Sequence, residues 1–402
     1  MDASSSPHLA LLPTPPIRVL VLGGGYGGAI AANRIAGKLG PIGRVTLVSD
    51  RDDLVNRIRL HEALAGRAYR PHALASVVSN RVQIVRGRAL AVHAAAKRIV
   101  VDGLGELPYD YLVVTLGSRL ALAVPGAREH AGWLASPETA AAGAARLAAL
   151  PDGAPVVVIG GGLTAIEVAS EIAEAHPRLR VTMLASELAA GLSARGRAYV
   201  REVLDDLRVE VRDGRVEAIA DDAVVVAGGE RVPAAMAVWA AGFEPAGPAI
   251  ETDLARDRRG RLIVDADLRA HGDAAVFVAG DAAAPPPGME FYRMACATAL
   301  PTAAHAADGV AALVAGDEPR RFRFGYRFQC VSLGRRRGVV QRVDGRDRPL
   351  DTVYTGRLAA MVKELICRFV IGSIRLERRW AGTLWWPRDI EAGAPAPGLL
   401  PG

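Results

Sequence analysis

The sequence predicts an α/β protein built on two copies of one strand, glycine turn, helix and strand unit, followed by a C-terminal α+β segment. Three observations carry this. IRVLVLGGGYGGAIAANRIAGKLG followed by RVTLVSD, from Ile17 to Asp50, joins an apolar run to a glycine cluster, an alanine-rich stretch and a second apolar run. PVVVIGGGLTAIEVASEIAEAHPRLRVTMLASE, from Pro155, repeats that order. The 402 residues also exceed one core, since domains run at roughly 150 residues. Apolar runs bounded by glycine and proline read as buried strands, so each copy is a βαβ unit, and the pair makes two Rossmann-like dinucleotide-binding domains.

In chain order, MDASSSPHLALLPTPP has no basic n-region and reads as a disordered leader over 1–16, not a secretory signal. The first domain is discontinuous, over 17–125 and 240–318. In its turn Gly23 permits a tight bend, Gly25 lets the backbone approach a pyrophosphate, and Gly28 allows close packing of helix on strand, with phosphates at the helix N-terminus. Tyr26 and Gly27 complete the turn. Asp50 ends the second strand about 20 residues on, the place of a ribose-binding carboxylate; Ser49, one residue earlier, is the other candidate. Short β-rich runs broken by Gly, Pro and Asp then predict a small antiparallel insert and a return strand.

The second domain spans 126–239. Gly160 and Gly162 repeat the pattern, with Ala165 where the third glycine would stand. No acid directly follows VTML, and Arg195 and Arg197 lie near enough to meet a 2′-phosphate, so the choice between NADH and NADPH stays open. A second insert leads back through VWAAGF and AAVFVAGDAA into the first domain, then a helical run from Arg293 to Ala315.

Residues 319–387 open with strand-like YRFQCVSLG and RRGVVQRV. The helix expected over 356–371 carries Leu358, Met361, Val362, Leu365, Ile366, Phe369 and Val370 at the spacing of one apolar face, with Lys363, Glu364 and Arg368 on the other. At 1.5 Å per residue it is ~24 Å long, too short to span a bilayer. Residues 388–402, rich in Pro, Gly and Ala, read as a disordered tail.

The net charge of +6 is unevenly placed: Arg320 to Trp380 holds sixteen basic and five acidic residues. A local surplus points to a surface with an anionic partner; nucleic acid is not expected. Three cysteines, Cys296, Cys330 and Cys367, with no CxxC pair, exclude a disulfide framework and a zinc site, and no metal is expected. A reducing, cytoplasmic setting follows, peripheral on the inner face of the membrane if the C-terminal helix meets lipid.

GGGYGG at Gly23 to Gly28, GGGLTAIE at Gly160 to Glu167 and VFVAGDAA at Val276 to Ala283, in that order, resemble the pyridine nucleotide-disulfide oxidoreductase superfamily. The resemblance implies FAD on the first loop, NAD(P)H on the second, and Gly280 and Asp281 at the FAD ribityl chain. VVTLGS, with Thr115 and Gly117, and VWAAGF, with Gly242, resemble its two connecting segments. The redox CxxxxC pair of the disulfide reductases is missing from DRDDLVNRIRLHEALAGR. Within the superfamily the chain therefore resembles the type II NADH dehydrogenases and the apoptosis-inducing-factor-like oxidoreductases.

That resemblance implies hydride transfer from NAD(P)H to FAD and electron transfer onward to a quinone or other small acceptor without a cysteine relay. A ferredoxin reductase and a flavin-bearing NAD(P)H sensor with little turnover are the alternatives. Quinone-site glutamines are missing; Ala297 and Pro301 stand near their place. Glu167 is the catalytic candidate, implied to face the nicotinamide and flavin, with Leu163 and Thr164 flanking the second loop. Arg59 is expected at the pyrophosphate, in a stretch resembling the segment under the isoalloxazine. The cysteines read as small core hydrophobes, His61 and His305 as structural, and the C-terminal helix as lying on a membrane or a twin subunit.

Overall fold

Five parallel strands form the first sheet of the computed structural model, which describes residues 15–246 and 250–393. Their order is Val276–Val278, Tyr111–Val114, Ile17–Leu22, Gly43–Ser49 and Val82–Arg86. The second sheet has the same plan, in the order Ala131–Trp133, Met236–Trp239, Pro155–Ile159, Arg180–Ala185 and Glu210–Asp213. Both central strands end in buried four-residue runs of Val, Leu and Ile, Val19 to Leu22 and Val156 to Ile159, as expected where helices and inserts cover both faces of a parallel sheet. Each glycine turn leaves the carboxyl end of the central strand, where the strand order reverses and ligands of such sheets bind.

The expected inserts are present as antiparallel triplets, Ala89–His93, Arg98–Val101 and Gly105–Pro108 in one unit and Val216–Ile219, Ala223–Val226 and Arg231–Pro233 in the other. The two crossings between the units pair with each other, Ser118–Leu120 against Phe243–Pro245. Gly117 (φ +68°) and Gly242 (φ +73°) bracket this link in the left-handed region that glycine tolerates.

The C-terminal segment is a three-stranded antiparallel sheet, Phe328–Leu333, Arg337–Val343 and Pro349–Thr355, then the helix Gly356–Arg379. The helix is longer than expected and lies across the Tyr26–Leu39 helix and the Arg337–Val343 strand. Its single expected apolar face is corrected to two opposed faces. Ala359, Cys367, Val370, Ile371 and Ile374 point inward, whereas Leu358, Met361, Leu365 and Phe369 are each more than half exposed. Lys363, expected on the solvated face, belongs to the inner one, with a side chain only 14% exposed.

The expected tail is also corrected, for 388–393. Ile390–Glu391 pairs with Arg323–Phe324, Asp389 holds Arg327, and Ala392 is fully buried. The reason is apolar surface: Tyr292, Phe322, Phe324 and Tyr326 form an edge-to-face cluster that this return segment helps to close. The rest of the tail, 394–402, and residues 1–14 of the leader lie outside the described residues. No helix among the described residues is long and apolar enough to cross a membrane.

Candidate functional site

Both glycine turns are forced by their neighbours. A Cβ at Gly23, whose φ is +104°, would sit 2.5 Å from the Thr115 carbonyl oxygen, and one at Gly160, φ +131°, would sit 2.9 Å from that of Ala240. Gly25 and Gly162 are the N-caps of the helices Tyr26–Leu39 and Leu163–Ala175, and neither helix has a side-chain cap. A Cβ at either glycine would meet nothing within 4 Å. Unsatisfied N–H groups and the positive end of the helix dipole thus face open space, which suits a phosphate.

The Thr115 hydroxyl donates to the Leu22 carbonyl (2.7 Å) and pins the first turn to its strand. Gly27 is buried against the Cys296–Ala315 helix, 3.5 Å from Ala303 when given a Cβ. Leu163 and Thr164 open the second helix, half-buried. Of the two ribose candidates, Ser49 is engaged locally, its hydroxyl donating to the Arg51 carbonyl (2.9 Å) and accepting from the Arg51 N–H (3.2 Å). The Asp50 carboxylate is exposed.

Asp281 follows Gly280, whose N–H is held by Thr302 (2.9 Å). Its Oδ2 accepts from the Ser118 hydroxyl (2.6 Å), while its buried Oδ1 has no hydrogen-bond partner among the described residues. Burial pushes this carboxyl above its ordinary range, against Ser118 and Arg57. A buried orphan acceptor carries a cost of about 1–3 kcal/mol until it is satisfied, so an arriving hydroxyl is matched to it. The Arg57 guanidinium donates to the Ser118 carbonyl (2.7 Å), and the Tyr26 hydroxyl donates to Asn56 (2.7 Å). The cradle around the open first turn therefore fits a nucleotide with a polyhydroxyl chain.

Arg59, expected at the pyrophosphate, faces carboxylates in this structure. Its guanidinium is bound to Glu62 and Glu364, each at 2.6 Å, and Arg57 joins the Asp281 group instead. The 3₁₀ turn Arg57–Arg59 rotates successive side chains by about 120°, so two residues of offset turn these arginines to different surroundings.

Glu167 lies one turn into the second helix, buried, and its Oε1 accepts from the Ser332 N–H (3.1 Å), the Ser332 hydroxyl (3.2 Å) and the Lys363 ammonium (2.9 Å). Burial alone would raise this carboxyl, yet Lys363 brings it below its ordinary value. Burial likewise pulls the ammonium down, and Glu167 more than reverses it. The pair is ionised at neutral pH. His61 beside it is pushed down by burial and stays neutral there. His305, driven down to about 4 by burial, packs edge-on to Phe322 at 5.0 Å and is structural.

The three cysteines, far apart in sequence, converge within electrostatic reach of Lys363. Burial raises all three thiols, Cys367 to about 11, which leaves them protonated and weak as nucleophiles. Sequence reasoning missed Lys363, Ser332, Arg57 and Ser118. The signal for Lys363 was its place between Ala359 and Cys367, at a spacing of four, on the stripe that continues to Val370 and Ile374.

Comparison with known proteins adds to this geometry. The family described as pyridine nucleotide-disulphide oxidoreductase matches residues 17–307. An NADH dehydrogenase-like protein of Mycobacterium tuberculosis is 32% identical over 293 residues, covering 66% of this chain and 73% of the relative. The ferredoxin–NAD(+) reductase component of the biphenyl dioxygenase system of Paraburkholderia xenovorans is 29% identical over 280 residues, 67% of this chain and 68% of that one. NDH2 from Plasmodium falciparum, solved with NADH, shares the fold at a TM-score of 0.74 and 13% identity, over 91% of this chain and 99% of that one.

Proposed function

The chain belongs to the pyridine nucleotide-disulphide oxidoreductase family, and on that premise we propose that it passes electrons from NAD(P)H to a quinone or another small acceptor without a cysteine relay. It is an NAD(P)H-dependent flavin oxidoreductase, with FAD and NAD(P)H as cofactors. When bound, FAD supplies the two-electron chemistry between nicotinamide and acceptor. One observation carries the reading: two open, glycine-capped helix N-termini occupy equivalent places in two sheets, with an orphaned Asp281 oxygen near the first and an ionised Glu167 on the second.

In this reading 17–125 with 240–318 forms the FAD-holding unit and 126–239 the NAD(P)H-holding unit. The N–H groups following Gly25 take the pyrophosphate, Asp50 the ribose, and Asp281 a ribityl hydroxyl that satisfies its orphan oxygen. Arg57 offsets the Asp281 charge. Gly160 to Thr164 take the NAD(P)H phosphates. Glu167, held by Ser332 and Lys363, orients the nicotinamide and keeps a proton acceptor at its Oε atoms. Protonated, buried thiols support transfer that bypasses cysteine. Steady-state oxidation of NADH and NADPH with a soluble quinone analogue tests this: the Cys296→Ser, Cys330→Ser, Cys367→Ser variant should retain turnover, and its loss with flavin reduction intact would sink the direct route.

A ferredoxin-type acceptor is the second reading, favoured by the basic surplus of 320–380 and by the ferredoxin reductase relative. Ferredoxin-dependent cytochrome reduction tests it. The exposed outer face of the C-terminal helix, with Leu358, Met361, Leu365 and Phe369 and the neighbouring Arg375 and Arg378, supports peripheral contact with a membrane surface or with a twin subunit. Flotation on anionic vesicles separates the two.

A further inference from the structure

A cavity of about 760 Å³ opens between the Arg59–Glu62 stretch, the turn after Phe328–Leu333 and the C-terminal helix. Six cations line it: Arg59, Arg335, Arg336, Arg357, Lys363 and Arg368. The carboxylates facing them are committed. Glu62 is bound by Arg59 (2.6 Å) and Arg335 (3.0 Å), Glu364 by Arg59 (2.6 Å) and Arg368 (2.7 Å), and Glu167 by Lys363 (2.9 Å). Arg336 and Arg357, both exposed at the mouth, have no carboxylate partner among the described residues. Two guanidinium forks without carboxylate partners on one cavity wall match a planar or trigonal oxyanion.

The remaining wall gives the rest of the ligand's chemistry. Met361 and Leu365 supply an apolar flank, and His61, Ser332 and Lys363 lie at the inner end, where Lys363 reaches Glu167. A cavity of this size holds a molecule of one to three rings. We propose that this cleft is the acceptor site and that it selects an anionic acceptor, a flat ring system bearing a carboxylate or sulfonate that Arg336 and Arg357 hold at the mouth. The proposal rests on the small-acceptor reading above and adds the charge class. For a quinone-type acceptor the balance closes: the nicotinamide gives up a hydride, which carries two electrons and one hydrogen nucleus, and solvent in the open cleft gives the second proton, yielding NAD(P)⁺ and the hydroquinone.

Calorimetric titration of the flavin-loaded protein with 2-naphthalenesulfonate and with 2-naphthol reads the charge preference without turnover. The sulfonate should bind about tenfold tighter than the naphthol, and raising salt should weaken the sulfonate alone. Arg357→Glu, an exposed substitution, should erase that difference, and so should Arg336→Ala with Arg357→Ala. Turnover gives the parallel result: the ratio of KM for a naphthoquinone sulfonate to KM for the parent naphthoquinone should rise about tenfold in Arg357→Glu. Equal binding of both naphthalenes by the wild type, or a preference that survives both variants, overturns anion selection. Anaerobic bleaching of the wild type by NAD(P)H reports separately on the underlying reading: failure to bleach sinks both, whereas normal bleaching without discrimination sinks only the charge class.

Discussion

The two glycine-turn helices, Tyr26–Leu39 and Leu163–Ala175, differ at two matching positions. Where the second helix carries Glu167 and Glu171, the first, at the same offsets from its leading glycine, carries Ile30 and Arg34. The C-terminal helix packs across the first, reaches the second through one side chain, and meets each with the opposite charge. Glu377 binds Arg34 (2.9 Å) on the first helix, and Lys363 binds Glu167 (2.9 Å) on the second. The anchors differ in what surrounds them. Glu377 is fully buried and also accepts from the Gly382 and Leu384 N–H groups (2.9 and 2.6 Å), while Arg34 reaches Asp308 (2.7 Å). The Lys363 end opens on the cleft. One scaffold thus holds a closed ion pair that ties the helix down and a second pair at the edge of an open cleft.

The largest effect expected from this contrast is at the closed end. Arg34→Met strands Glu377 in the interior and should cost about 3–5 kcal/mol, as broken buried pairs do, read as a denaturant midpoint; a loss below about 1 kcal/mol would mean the pair behaves like a surface one. Next, Gly28→Ala drives a methyl to within 1.8 Å of the Gly23 oxygen and should cost about 3 kcal/mol, the upper range of overpacking. The matching Ala165→Gly should cost only about 1 kcal/mol, from helix propensity. Similar losses for both would erase the difference in packing between the units.

At the open end, Glu167→Gln should keep the hydrogen bond to Ser332 and relieve Lys363 into the cleft, so its stability loss should be smaller than that of Arg34→Met. The rate of flavin reduction by NAD(P)H should fall by roughly 10- to 100-fold, at or below the usual range for a lost acid–base group. The pH dependence has a definite sign. The Glu167 carboxyl is depressed in the folded protein, so its stabilisation is complete above the unfolded pKa of about 4.3 and disappears as pH falls through the lower folded value. The difference in melting temperature between wild type and Lys363→Met should therefore be full at pH 7 and shrink in acid; a difference constant down to pH 3 would contradict the ionised pair.

Local motifs were legible in the sequence because their geometry is local. Gly23, Gly25, Gly160 and Gly162 sit in strand-to-helix turns whose form follows from a few adjacent residues, and Asp281 stands three residues past the end of a strand. The positions of Lys363 and Arg59 were not. Grouping Lys363 with Glu364 and Arg368 on one polar face hid the stripe from Ala359 to Ile374, because a lysine beside a buried partner on another element looks, in one dimension, like any solvated lysine. The segment 388–393 was hidden for a related reason: the surface it covers is assembled from residues 60 to 100 positions earlier, such as Phe322 and Tyr292, which composition alone does not reveal.

In the proposed division FAD occupies the first turn and NAD(P)H the second, and paired anaerobic titrations distinguish the two. Gly162→Val should purify with a full flavin spectrum that neither NADH nor NADPH bleaches. Gly25→Val, which fills the open space at the first turn, should purify without flavin while its melting temperature still responds to nicotinamide nucleotide. A colourless Gly162→Val protein beside a yellow Gly25→Val protein would show the assignments reversed.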